Sequence, residues 1–235
     1  MKSVKLIINM KETPTPIIAI DGTTSSGKGT IAYKLAEHFG FNYLNSGALY
    51  RLIAYVIVQN GHSINDVEKA IETARNISPV FEGKKVIVEG QDIWPIISSQ
   101  EWGQNASIIS PIPELRIAVH ELQRKMIQHP GLVAEGRDMC THVFTDAHAK
   151  LYLDAHIEER ARRRHKDELE KNTGKTLEDI IEEIRIRDER DMHPSRGNAR
   201  LRPAEDSHIV DTSDMDISET LEKCINLCRE KGVSI

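Results

Sequence analysis

Cysteine is scarce in this chain: Cys140, Cys224 and Cys228 are the only three among 235 residues. That is too few for a disulfide framework. Cys224 and Cys228 fall one helical turn apart, a spacing that suits small core residues better than metal ligands. The ten histidines are scattered without the spacing of a zinc site. Aromatic residues make up only 5% of the chain, so its core must be mostly aliphatic. Long apolar runs are missing too. The N-terminal stretch offers only Leu6-Ile7-Ile8, far short of a signal peptide or a membrane span. A reducing cytoplasm and no membrane partner are therefore expected. Nor is there an excess of positive charge: the formal net charge is −5, which argues against nucleic acid held by a strong overall positive field.

What is present reads as a soluble globular protein, 39% hydrophobic and 29% charged. Its length fits one α/β domain with room for lids or insertions. Residues 1–16 read as a loose leader ending in Thr13-Pro14-Thr15-Pro16. Ile17-Ile18-Ala19-Ile20-Asp21 is then apolar without alternation, the pattern of a strand covered on both faces in a parallel sheet. After a Gly/Ser/Thr loop, Ile31, Leu35, Ala36 and Phe39 recur at helical spacing, and Gly40 ends that helix. A second strand is expected at Phe41–Leu44, with another helix from Ser46 through Val56. Between Ile77 and Ile97 short strand runs alternate with tight-turn pairs such as Gly83-Lys84, which predicts a small antiparallel insertion.

A long helix is expected over Pro113–His129, followed by short buried strands at Leu132-Val133-Ala134 and Leu151-Tyr152-Leu153 and a weaker one at Ile209-Val210. A charged helical hairpin is expected from about Glu158 to Asp191, turning at Thr173-Gly174, and a closing helix runs through Ile217, Leu221 and Ile225. The alternation of β and α predicts a three-layer, doubly wound parallel sheet.

Gly22-Thr23-Thr24-Ser25-Ser26-Gly27-Lys28 matches G-x-x-x-x-G-K and lies between the first strand and the first helix, the context that gives this phosphate loop its meaning. Its backbone N–H groups and the helix dipole can cradle phosphate oxygens, from Gly22 through Gly29 and Thr30. Lys28 is expected on the β- and γ-phosphates of ATP, and the Thr30 hydroxyl on Mg²⁺, directly or through a water. Gly29 rather than Ser or Thr follows the lysine, which sets the loop apart from that of GTPases, and no Asn-Lys-x-Asp stretch is present to read guanine. Ten of the sixteen arginines fall between Arg160 and Arg202. They form either a solvated, salt-bridged helical face or a lid whose guanidinium groups close over phosphates.

Beyond the loop, Asn45-Ser46-Gly47-Ala48-Leu49-Tyr50-Arg51, Glu135-Gly136-Arg137-Asp138-Met139 and Arg187-Asp188-Glu189-Arg190-Asp191 follow in order. With Ile20-Asp21-Gly22 and Gly27-Lys28-Gly29-Thr30, these stretches resemble the bacterial-type cytidylate kinases over almost the whole chain. The resemblance implies a P-loop nucleoside monophosphate kinase fold, the β insertion (about 62–107) receiving the acceptor nucleotide and a helical lid at about 158–191. It implies Lys28, Arg137 and Arg187 as the catalytic residues, with Arg160, Arg163 and Arg164 joining the loop around ATP. It places Ser46, Arg51 and Arg137 on the acceptor phosphate, Ser107, Arg116 and Asp138 around the base, and Arg187 and Asp191 near the sugar. An acidic acceptor such as Asp138 suits the exocyclic amine of cytosine, a donor that uracil lacks.

Three departures stand out. Thr23 and Ser25 replace a proline and a glycine usual in the family's loop, Asn45 stands where an aspartate is usual, and Pro194 stands where the family has an acceptor-phosphate arginine. Arg196, two residues on, is the candidate to take over that last role. The implied reaction is MgATP plus CMP or dCMP giving ADP and CDP or dCDP, in line and without a covalent intermediate, in a protein expected to be monomeric. The alternatives are a UMP/CMP or other monophosphate kinase, and an ATP-binding P-loop sensor that performs no transfer. The paired acceptor residues Ser46, Arg51, Arg137 and Asp138 argue against the sensor.

Overall fold

The computed structural model describes residues 14–170, 174–192 and 201–234. The leader expected at 1–16 therefore lies mostly outside the described residues, as do Thr173, Pro194 and Arg196.

Five parallel strands form the central sheet: β1 (Ile17–Gly22), β2 (Asn42–Asn45), β6 (Leu132–Glu135), β7 (Ala149–Asp154) and β8 (His208–Asp211), in the order β2-β6-β1-β7-β8. Register pairs Ile18 with Val133 on one side and with Ala149 on the other. β1 is central, which is why its run is apolar at every position. Ile17 and Ala19 point into one core, together with α2 (Ser46–Gln59), α3 (Val67–Asn76), α5 (Gln100–Ile109) and α6 (Pro113–Lys125). Ile18 and Ile20 point into the other, against α1 (Lys28–Phe39) and α9 (Ile217–Glu230). The period-2 alternation of a strand thus splits one apolar run between two cores, and the three-layer, doubly wound P-loop architecture follows.

A second, antiparallel sheet joins β3 (Val80–Glu82), β4 (Lys85–Val88) and β5 (Gln91–Asp92). It lies within the stretch expected to be strand and turn, and is bracketed by α3, a short α4 (Trp94–Ile97) and α5. Helix α6 stops at Lys125, before the expected His129. The residue before a proline disfavours the helical region, and Pro130 follows closely. Two charged helices, α7 (Ile157–Glu170) and α8 (Leu177–Met192), pack through a small core of Ala161, Ile180 and Ile184.

Every parallel strand ends toward the same edge, the place where open α/β sheets bind ligands. Gly22, Asn45, Glu135, Asp154 and Asp211 are the last residues of the five strands. The chain that leaves them carries the phosphate loop, the start of α2, the Arg137-Asp138 pair, the start of α7 and Thr212.

Candidate active site

The phosphate loop is held by contacts that its composition makes possible. At Gly22 (φ 154°) a side chain would collide with the Leu153 carbonyl of the neighbouring strand. Thr23 Oγ1 donates to Asp154 Oδ1 at 2.7 Å, and Ser26 Oγ to the Thr23 carbonyl at 3.0 Å. Gly27, with φ 85°, makes the left-handed turn into α1. Lys28 Nζ donates to the same Thr23 carbonyl at 3.0 Å. Its ammonium is crowded by protein atoms, although water reaches part of the residue. Burial first, then the positive charges of Arg137 and Arg187 against the opposing Glu135, lower its pKa to about 7. A cation made this uncomfortable is prepared to gain from an arriving polyanion.

Two clefts meet at this loop. One, of about 870 Å³, runs along Ser26–Ile31 and is closed by Glu159, Arg163 and the 212–220 segment. The other, of about 800 Å³, is bounded by Thr24, Arg51, Gln104, Ser107, Arg187 and Arg190. Ser25, Arg164 and Asp167 belong to both.

In the first cleft, Arg163 donates to Thr212 Oγ1 at 3.0 Å and to the Thr212 carbonyl at 2.5 Å, and pairs with Glu159 at 3.0 Å. Arg164 pairs with Glu183 of α8 at 2.7 Å. Arg160, expected with them, lines neither cleft. It is buried, and donates to the Ala155 carbonyl at 2.9 Å, the Thr24 carbonyl at 3.2 Å and Asp188 Oδ2 at 2.6 Å. These three acceptors tie the phosphate loop to α7 and α8.

In the second cleft, Arg51 reaches from α2 to donate to the Ile97 and Ser99 carbonyls at 2.8 and 2.7 Å. Gly103 of α5 makes room for it, since a Cβ there would stand 2.7 Å from Arg51 Nη2. Ser107 Oγ donates to the Gly103 carbonyl at 2.9 Å. Arg187 lines this cleft. Enclosure first, then Arg137, Arg164 and Arg51 against the opposing Asp191, lower its pKa to about 10. Four guanidinium groups close enough to oppose one another's charge mark a place built for an anion.

Ser46, Arg116, Arg137, Asp138 and Asp191, all expected at the acceptor, lie off the cleft walls. Ser46 is buried at the start of α2, one residue after Asn45, whose side chain accepts the Ala48 N–H at 3.0 Å as a helix cap. Arg137 donates to the Gly22 carbonyl and pairs with Asp191 at 3.0 Å. Asp138 is buried with Arg116, which donates to its Oδ2. Burial raises the pKa of Asp138, but His120 and Arg116 outweigh it and hold the carboxyl well below the usual range.

Two residues nearby stand within the stretches that carry the resemblance but had been given no role of their own. Asp21, at the penultimate position of β1, accepts the Met139 and Cys140 N–H groups at 2.8 Å each, so it anchors the π-helical turn Met139–Val143. Burial lifts its pKa to about 7 against the pull of those two amides. Glu135, the last residue of β6, faces the loop: its Oε1 would lie 3.5 Å from a Cβ on Gly29, and it accepts from the Tyr43 hydroxyl at 3.5 Å. Its place at the end of the strand beside β1 was readable, but nothing in the sequence said that it points at the loop.

Among the described residues no group of three His, Cys, Asp or Glu is placed to hold a metal by itself. Thr30 lines the first cleft in the first turn of α1, with Glu135 across Gly29. Such a sparse set of oxygen donors suits Mg²⁺, which keeps much of its water and takes most other ligands from nucleotide phosphates.

The family model described as cytidylate kinase matches residues 18–230. A cytidylate kinase of Bordetella bronchiseptica is 42% identical over 214 residues, which span 91% of this chain and 95% of that one. A cytidylate kinase of Pseudomonas aeruginosa is 40% identical over 223 residues, spanning 92% and 96%. An uncharacterized protein from Eubacterium ventriosum has a crystal structure with TM-score 0.50 to this chain at 14% identity, covering 92% and 99%, a likeness of fold alone.

Proposed function

This chain belongs to the cytidylate kinase family, and from that membership and the meeting of the two clefts we infer that it transfers the γ-phosphoryl group of ATP to CMP or dCMP. The products are ADP and CDP or dCDP. The observation that carries the reading is the shared wall: one loop, one lid arginine and one lid aspartate border both clefts. Two nucleotides can then meet end to end at the phosphate loop.

ATP occupies the cleft of Ser26–Ile31, with its phosphates on the amides of residues 22–30 and its adenosine toward the 212–220 segment. Lys28 lies along the β- and γ-phosphates, and Arg163 and Arg164 close from α7. Arg160 braces the loop from behind through the Thr24 carbonyl. The acceptor occupies the other cleft, its phosphate met by Arg51, Arg137 and Arg187 and by the hydroxyl and helix N-terminus at Ser46. Arg116, Asp138 and Ser107 read the base, and Asp191 with Arg187 faces the sugar. Arg196, which lies outside the described residues, is the candidate for a further contact to the acceptor phosphate.

Thr30, with the Glu135 carboxylate nearby, would hold Mg²⁺ directly or through a water, and the ion would supply charge neutralisation of the transferring phosphoryl group. The remaining work of the chain is positional. Lys28 and the arginines fix two anions in line that would otherwise repel, and stabilise the charge on the equatorial oxygens. Residues 62–107 and 158–191 enclose the two substrates and exclude water, so that ATP is not hydrolysed.

A bisubstrate analogue, adenosine and cytidine joined through a 5′-oligophosphate, tests the shared wall. It is expected to compete with both ATP and CMP and to bind more tightly than either. Competition with ATP alone would contradict the two-cleft reading.

A further inference from the structure

Helix α6 presents two polar side chains one turn apart, Arg116 and His120, so they share a face. Both meet the same carboxylate oxygen. Arg116 Nη2 donates to Asp138 Oδ2, and His120 Nε2 lies 3.4 Å from that oxygen. The Asp138 side chain is 7% exposed; the His120 side chain is 24% exposed, yet its Nε2 is buried and finds no aligned hydrogen-bond partner among the described residues. A buried ring nitrogen that faces a carboxylate and has no other partner among the described residues needs an explanation.

We propose that His120 is a positioning residue for base recognition: with Arg116 it pins Oδ2 of Asp138 and so leaves Oδ1 to accept the exocyclic amine of the acceptor base. The proposal rests on the acceptor being a cytosine nucleotide. An ionised carboxylate offers lone pairs on both oxygens, and a guanidinium can take both in a two-pronged fork. Such a fork would consume the acceptor that cytosine needs. In this structure Arg116 makes a one-pronged contact, and among the described residues nothing donates to Oδ1. The imidazole beside Oδ2 resists the rotation of the carboxyl that a fork would need. Cytosine then finds a fixed acceptor for its amine, whereas uracil brings a carbonyl oxygen against a carboxylate oxygen and leaves both unpaired.

The test compares wild type with His120→Leu and His120→Gln, using CMP, dCMP and UMP at saturating ATP. For His120→Leu the KM for CMP and dCMP is expected to rise about 5–10-fold. The preference for CMP over UMP in kcat/KM falls by a similar factor, while kcat and the KM for ATP stay within about twofold. His120→Gln, whose amide nitrogen can still reach Asp138, is expected to recover most of the preference. The proposal is overturned if His120→Leu keeps the wild-type KM and preference, even with lowered melting temperature. It is overturned equally if His120→Gln is as impaired as His120→Leu, since ring volume rather than a donor would then matter. A wild-type protein that ignores CMP and turns over another monophosphate would overturn the cytosine reading itself, and this proposal with it.

Discussion

Lys28 shows what single residues in this protein yield to sequence reading and what they withhold. The G-x-x-x-x-G-K spacing locates it, and its environment was not legible, because the charges that crowd it come from Arg137 and Arg187, more than 100 positions away. The same limit applied to His120, whose spacing from Arg116 was visible while their shared target Asp138, in the loop after β6, was not. The lowered pKa of Lys28 has a consequence with a definite sign. Below about pH 7 folded and unfolded chains both carry the proton, and the cost of burying the charge is fully present. Between about 7 and the ordinary 10.5 the folded protein holds fewer protons than the unfolded one, so stability rises with pH across that window. The phosphates of ATP favour the charged form, so ATP binding at pH 8 is expected to take up a proton. Titration calorimetry in buffers of different ionisation enthalpy measures this. Lys28→Met should lose the uptake, and about 10²–10³-fold in kcat, while remaining folded. Uptake that persists in the variant would assign the proton elsewhere.

At the scale of elements, the strands and most helices were readable because each carries its own periodicity. β1, β6 and β7 announced themselves by short apolar runs and α9 by the helical spacing of Ile217, Leu221 and Ile225, while β2 and β8, each with polar residues at its ends, gave weaker signals. Less legible were α3, α4 and α5, which flank the antiparallel sheet and bury one narrow stripe each. Also hidden was the division of labour inside the arginine-rich hairpin, where one guanidinium is structural and its neighbours face the clefts. Arg160 and Asp188 have side chains 7% and 10% exposed, and Asp188 Oδ1 has no partner among the described residues. Arg160→Met would leave a buried carboxylate uncompensated, and is expected to lower the unfolding free energy by about 3–5 kcal/mol. The double variant Arg160→Met/Asp188→Leu should regain most of that loss in urea denaturation. A loss below about 1 kcal/mol in the single variant would show that the pair does not brace the loop, α7 and α8.

The whole molecule brings two anionic substrates together although its own net charge is −5. Arginines from α2, α7 and α8, and from the loop after β6, converge at the carboxyl edge of the sheet. That convergence depends on topology, so a linear reading gives the participants and not their partners. The central claim is that this edge joins ATP to a cytosine monophosphate. It is tested most directly by ADP release from MgATP with CMP, dCMP, UMP, AMP and GMP, each assayed separately under identical conditions. Rapid turnover with CMP and dCMP and slow turnover with UMP, AMP and GMP is the expected result. Turnover led by any other monophosphate, or none with CMP and dCMP, would contradict it.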